Sequence, residues 1–184
     1  DLPVYKRQAF RENVLGSQAP NAATAGKTLF EDANIRLWTL DDEVVIASIK
    51  SKMHTISAEV TAGLAKGLEI AEAGYKGMVI WTQDGPFSAG ADLQSMMPAF
   101  MSGGGKAIAP FEKQLQDFML SLRYSNVPTV AAMHGLALGG GCELAVHAAK
   151  RVAAMETYVG LVEVGVGLIP GGGGLAYLAR RAAE

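Results

Sequence analysis

The chain has 184 residues, a formal net charge of −2, 49% hydrophobic and 18% charged residues, which fits one folded domain with a sizeable core rather than a disordered segment. The near-neutral charge leaves no basic footprint for nucleic acid, and no run approaches the roughly 18 consecutive apolar residues of a membrane span. The single cysteine, Cys142, excludes an internal disulfide and fits a reducing compartment, so the expected location is the cytoplasm.

Residues 1–32 carry no sustained period and include Gly16-Ser17-Gln18-Ala19-Pro20-Asn21, the composition of a linker or peripheral segment. The start, Asp1-Leu2-Pro3-Val4-Tyr5, lacks the charged-then-apolar pattern of a signal peptide. A hairpin is expected over residues 34–50, with Asp41-Asp42-Glu43 as its turn and Val44 to Ile49 as a buried strand. Ser57 is placed to cap a helix through about residue 73, whose apolar face is Val60, Leu64, Leu68 and Ala71. Met78 to Thr82 reads as a strand buried on both faces, so strand, helix and strand make a βαβ crossover. A loop of small residues, Asp84 to Asp92, comes next at that strand's carboxyl end, where ligands of open α/β sheets bind. Residues 93–109, with Pro98 and Gly103-Gly104-Gly105, read as a mobile excursion. A helix from about Pro110 then shows Phe111, Leu115, Phe118 and Leu122 on one face. Pro128 to Met133 is the next strand.

That strand delivers the chain into Leu138-Gly139-Gly140-Gly141-Cys142-Glu143, after which a helical pattern begins. Glycines let a backbone pass close to a ligand, and the first amides of a helix have no intrahelical partners and carry the positive end of its dipole. The run fits either a tight-packing turn or a site for negative charge on a substrate oxygen. The strand–loop pattern occurs twice, from residues 78 and 128, so two loops can supply two amides to one oxygen. Glu143 lies one turn into the pattern, and Glu163 precedes a second glycine run, Gly171 to Gly174. Each glutamate has apolar neighbours, and partial burial would raise its pKa and suit it to proton transfer. Other motifs fail. Gly103-Gly104-Gly105-Lys106 lacks the phosphate-loop spacing, Gly139-x-Gly141 lacks the third dinucleotide glycine, and Ser88 lies in a loop one residue too long for a nucleophile elbow. His54, His134 and His147 show no ligand spacing and read as structural, and no metal motif is present.

Three segments together resemble the crotonase superfamily, and within it enoyl-CoA hydratases: Phe87 to Leu93, Pro128 to Ala145, and Gly165 to Gly174. The resemblance covers residues 33–184. It implies an α/β crotonase-like spiral of ββα units, with C-terminal helices that close the acyl pocket and build a trimer expected beyond Glu184. Residues 1–32 resemble the lead-in from a 3-hydroxyacyl-CoA dehydrogenase region of a multifunctional fatty-acid oxidation protein. The implied activity is syn addition of water to a trans-2-enoyl-CoA, giving a 3-hydroxyacyl-CoA in fatty-acid β-oxidation. The alternatives are a Δ3–Δ2 enoyl-CoA isomerase and a non-catalytic acyl-CoA-binding or assembly module. By resemblance, Glu143 and Glu163 are the catalytic pair, and Ala91 and Gly140 supply the oxyanion hole. Ser88, Ala89, Gly90, Asp92, Gly139, Pro170 and Gly171 line the substrate, with Lys52 to Thr55 nearby. No metal or organic cofactor is implied, since the CoA thioester is itself the substrate. The implied partners are acyl-CoA and either further copies of the chain or a multifunctional complex. Two departures are Ala149, where relatives usually carry aspartate, and His54, where asparagine is common.

Overall fold

The computed structural model describes Asn21 and residues 23–183, so most of the segment assigned to a linker lies outside the described residues. Lys27–Glu31 (β1), Ile35–Thr39 (β2) and Val44–Ile49 (β3) form an antiparallel meander. β2 and β3 are the expected hairpin, turning through Asp42 at φ 59°, a conformation that aspartate tolerates better than most residues. β1 has no counterpart in the sequence reading. It is short, and a register shift between Thr28 and Phe30 interrupts the alternation that would reveal it.

The helix Ala58–Gly74 (α1) begins as the sequence indicates, with Ser57 Oγ accepting from the Val60 amide at 3.3 Å. Val60, Leu64, Leu68 and Ala71 are all buried. Gly63 and Gly67 let α1 settle on β2: a methyl built on Gly63 would stand 2.5 Å from Ile35 Cγ2, and one on Gly67 2.8 Å from Leu37 Cδ2. Gly77–Trp81 (β4) then lies parallel to β3. Buried Trp38 donates to Ser48 Oγ, which donates to the Trp81 carbonyl, stitching β2, β3 and β4 through the core.

Leu93–Arg123 (α2) corrects the reading of residues 93–109 as an excursion. Asp92 Oδ1 caps its first turn, accepting from the amides of Gln94 (3.2 Å) and Ser95 (3.3 Å). The glycine triplet is absorbed as one kink, at Gly104 with φ 59° and ψ −149°, between two helical segments. Leu115, Phe118 and Leu122 are buried as expected, and Phe111 is half-buried.

Thr129–Met133 (β5) lies parallel to β4, and Lys150–Ala153 (β7) parallel to β5, completing a six-stranded sheet in the order β1-β2-β3-β4-β5-β7. Leu136–Leu138 (β6) and Tyr158–Gly160 (β8) make a separate parallel pair. Because β4 and β5 are neighbours and parallel, the loops that leave their carboxyl ends emerge side by side. Gly140–His147 (α3) and Gly174–Ala183 (α4) complete the described fold. Among the described residues, no helix is long and apolar enough to cross a membrane.

The packing of α1 on β2 gives a test that opposes helix propensity. Gly63→Ala is expected to lower stability by about 1–3 kcal/mol, because its methyl meets a buried β-branched side chain that cannot move aside. Gly74→Ala faces open space and is expected to cost nothing. Urea midpoints of the two variants check this, and equal midpoints would contradict the packing account.

Candidate active site

The loops after β4 and β5 are zipped backbone to backbone. Phe87 N–H donates to the His134 carbonyl (3.0 Å), Ser88 N–H to Leu136 (3.0 Å), and Leu138 N–H back to Ser88 (3.0 Å). Two glycines permit the closest approach. A methyl on Gly141 would stand 2.7 Å from Ser88 Cβ and 2.8 Å from its carbonyl oxygen; one on Gly90, already at φ +98°, would stand 2.8 Å from the Leu138 oxygen.

This contact brings Ala91 and Gly140 together. A methyl built on Gly140 would be 3.4 Å from the Ala91 nitrogen, and one on Gly90 would be 3.4 Å from the Gly140 nitrogen. Ala91 forms a parallel bridge with Ile56 in which Ile56 N–H donates to Gly90 O (2.8 Å) and Asp92 N–H donates to Ile56 O (2.9 Å). The Ala91 amide takes no part in that bridge. Gly140 is the first residue of α3, so its amide has no intrahelical acceptor. Among the described residues, neither amide has an acceptor. Two spare donors therefore stand side by side at a helix N-terminus.

Both glutamates lie near the start of α3, close enough for the charge of Glu163 to act on Glu143. Glu143, 1% exposed, lies in the first turn of α3. Its Oε2 accepts from Gly172 N–H (3.0 Å) and its Oε1 from Gly174 N–H (2.9 Å). Burial pushes its carboxyl above the ordinary range; the two amides pull it back, and the charges of Glu163 and Glu112 push it up again. Glu163 begins a 3₁₀ turn after β8, and its Oε1 stands 3.0 Å from where a methyl on Gly139 would be. Its Oε2 is buried and has no partner among the described residues.

The other sequence candidates are mostly the frame. Ser88 is fully buried, its hydroxyl donating to His54 O (2.7 Å) and accepting from Gly90 N–H (3.1 Å). Ala89 N–H donates to Met53 O, Gly139 N–H to Gly160 O, and Asp92 caps α2. Pro170 leads into Gly171, whose carbonyl accepts from Gln116 Nε2 at 2.6 Å. The three histidines are anchored as structural groups, with a ring nitrogen of each against a backbone carbonyl: His54 on Pro86, His134 on Thr82, His147 on Glu143. Burial first, then Glu143 and Glu163, pushes the Cys142 thiol to about 11, so it is no nucleophile at neutral pH. The Ala149 backbone amide donates to Thr129 Oγ1 (3.0 Å).

Sequence reasoning missed Glu112. Its carboxyl lies against the Cα of Gly171, and its Oε2 is buried without a partner among the described residues. Burial, and then Glu163, raises its pKa. The residue sits beside the apolar face that Phe111 and Leu115 define, with no motif around it. Its position depends on the glycine loop folding back onto α2.

Because Glu143 titrates higher folded than unfolded, its contribution to stability is full below about 4.5, the ordinary glutamate value, and is lost as pH rises through the raised one. Stability of the wild type minus that of Glu143→Gln is therefore expected to fall as pH rises from about 4 toward about 8. Urea unfolding at stepped pH measures it, and a difference that grew with pH would contradict a desolvated carboxyl.

A family model described as enoyl-CoA hydratase/isomerase matches residues 43–184. The "Probable 3-hydroxyacyl-CoA dehydrogenase" of Bacillus subtilis (strain 168) is 39% identical over 144 residues, 78% of this chain and 18% of that protein. The human mitochondrial methylglutaconyl-CoA hydratase is 34% identical over 173 residues, covering 90% of this chain and 50% of that one. Among solved structures, an enoyl-CoA hydratase from Polaromonas sp. JS666 superimposes with a TM-score of 0.72 at 28% identity, covering 79% of this chain and 58% of that one. The chain thus spans less than two thirds of each of these relatives. With the family model covering most of its length and the loops arranged as described, the chain belongs to the enoyl-CoA hydratase/isomerase family and has the crotonase fold.

Proposed function

We propose that this chain is the catalytic core of an enoyl-CoA hydratase, adding water to a trans-2-enoyl-CoA to give a 3-hydroxyacyl-CoA in fatty-acid β-oxidation. The observation that carries the reading is the pair of spare amides, Ala91 and Gly140, beside two carboxyls, Glu143 and Glu163. The thioester oxygen accepts from both amides, which draws electron density from the conjugated double bond and makes C3 electrophilic. Water held by the glutamates attacks C3 as one carboxylate takes its proton, while the other carboxyl delivers a proton to C2. Hydroxide and proton thus add across the bond from one face; the pair of glutamates takes up one proton and gives up another, and transfer of a proton between them restores the starting state. Negative charge builds on the thioester oxygen in the transition state, where losing one fixed donor typically costs about 2.7–4 kcal/mol. The chemistry calls for no metal or organic cofactor.

The burial of Glu143 supports its part, since a carboxyl with a raised pKa exchanges protons more readily near neutral pH. The similarity to a 3-hydroxyacyl-CoA dehydrogenase supports a place within a multifunctional protein, whose next activity would oxidise the hydroxyl formed here. Assembly with further chain or further copies is supported by the exposed apolar side chains of Val164, Val166, Leu168 and Ile169.

Crotonyl-CoA, followed at its enoyl-thioester absorbance with the full-length protein, tests the reading. Glu143→Gln and Glu163→Gln are each expected to lower kcat by about 10²–10⁴. Unchanged kcat in both would contradict it. A protein that instead converts 3-enoyl-CoA to the conjugated isomer without hydrating crotonyl-CoA would be an isomerase.

A further inference from the structure

The Ala91 amide can serve an oxygen only if its peptide is aimed, and the aim comes from residues 53–56. The peptide between Gly90 and Ala91 is planar and trans, so its carbonyl and its N–H point in opposite directions. Ile56 N–H holds the Gly90 carbonyl at 2.8 Å, which turns the Ala91 amide the other way. Just upstream, Ala89 N–H donates to Met53 O (3.1 Å), and Ser88 Oγ donates to His54 O (2.7 Å) while accepting from Gly90 N–H (3.1 Å). The His54 carbonyl takes the hydroxyl proton of Ser88, which leaves Oγ lone pairs for Gly90. His54 Nδ1 lies 2.6 Å from Pro86 O, and because a carbonyl only accepts, Nδ1 carries the proton. His54 therefore grips the loop twice, at Pro86 through its ring and at Ser88 through its backbone.

That grip is made in an unfavourable conformation. Met53 and His54 have φ of 53° and 52°, two of the three non-glycine residues with positive φ among the described residues. Side chains crowd the backbone there, and such outliers persist where surrounding structure enforces them, often at functional sites. Glycine at 54 would adopt this backbone without strain but would have no ring to reach Pro86. We propose that His54 is a positioning residue for hydration: its ring on Pro86 and its carbonyl on Ser88 together fix the loop from Ser88 to Ala91, so that the Ala91 amide meets the thioester oxygen. It acts through that amide rather than on the substrate. Misplacing a fixed donor weakens its hold on charge that develops in the transition state, so the loss falls on kcat more than on KM. Asparagine is the nearest replacement, since it tolerates left-handed backbone and its side-chain amide takes the place of Nδ1.

This inference rests on the acyl-CoA reading of the site, and part of its test needs no turnover. The full-length protein is followed by crotonyl-CoA hydration and by the infrared carbonyl stretch of bound butanoyl-CoA labelled with ¹³C. His54→Gly, which keeps the backbone conformation and removes the ring, is expected to lower kcat at least about tenfold with KM within about threefold. The bound carbonyl stretch is expected to move back toward its solution position. His54→Asn is expected to stay within about threefold of wild type in kcat, with the stretch unchanged. Ser88→Ala cuts the link from His54 O to Gly90; it is expected to move the stretch as His54→Gly does, and decides the matter if that variant folds poorly. A purely structural histidine would change the urea midpoint and leave the stretch where it is. Wild-type kcat and stretch in His54→Gly, or an asparagine variant as impaired as the glycine one, would overturn the proposal. Failure of the wild type to bind butanoyl-CoA would overturn it together with the acyl-CoA reading. A carbonyl shift present in wild type and lost in His54→Gly, without crotonyl-CoA hydration, would leave it standing and remove only the hydratase assignment.

Discussion

The contact between Gly90 and Leu138, and between Gly141 and Ser88, is the constraint on which the site depends. Two loops leave neighbouring parallel strands, and their backbones can close on each other at these points only where no Cβ stands between them. Glycine at two facing positions meets that condition, since a methyl at either would come within 2.8 Å of the opposite carbonyl oxygen. The consequence is geometric. Ala91 meets Ile56 on one edge, and its amide is left over on the other, beside the first amide of α3. Donors fixed by the scaffold need no reorganisation as charge develops, which is why such an arrangement lowers a barrier rather than merely tightening binding.

The carboxyls express the opposite tension. A glutamate buried as deeply as Glu143 would resist ionisation, and the amides of Gly172 and Gly174 partly restore its charge. The loop that supplies those amides also packs against Glu112 and is held by Gln116, so α2, the glycine loop and α3 form one unit around the acids. Glu163 has less support, with one oxygen against Gly139 and the other buried without a partner among the described residues. Unequal surroundings for two similar acids are what a reaction that takes a proton at one point and gives it at another requires.

Much of this was legible in the amino-acid sequence, and the remainder was hidden for identifiable reasons. The β2–β3 hairpin and α1 were readable because period and capping agree there, with Ser57, Val60, Leu64 and Leu68 each pointing to the same element. The first half of α2 was hidden because Pro98 and the glycine triplet signal a break, whereas the chain kinks at Gly104 and continues. β1 was hidden by its brevity and bulge. Within the site, glycine loops and apolar flanks around Glu143 and Glu163 suggested chemistry, but that both acids share a site with Ala91 and Gly140 came from family resemblance. Glu163 arrives there through the pairing of β6 with β8, and Glu112 through the distant glycine loop folding back onto its helix. Neither contact leaves a local pattern.

If two backbone amides polarise a thioester carbonyl, the carbonyl stretch of a bound ligand must register it. Isotope-edited infrared spectroscopy of butanoyl-CoA labelled with ¹³C at the carbonyl reads that stretch most directly, because this saturated ligand binds without reacting. The stretch is expected at lower wavenumber when bound than in solution, with the shift lost in Gly90→Ala, where the loops can no longer close. A stretch that stays at its solution position in the wild-type complex would contradict polarisation by the amide pair.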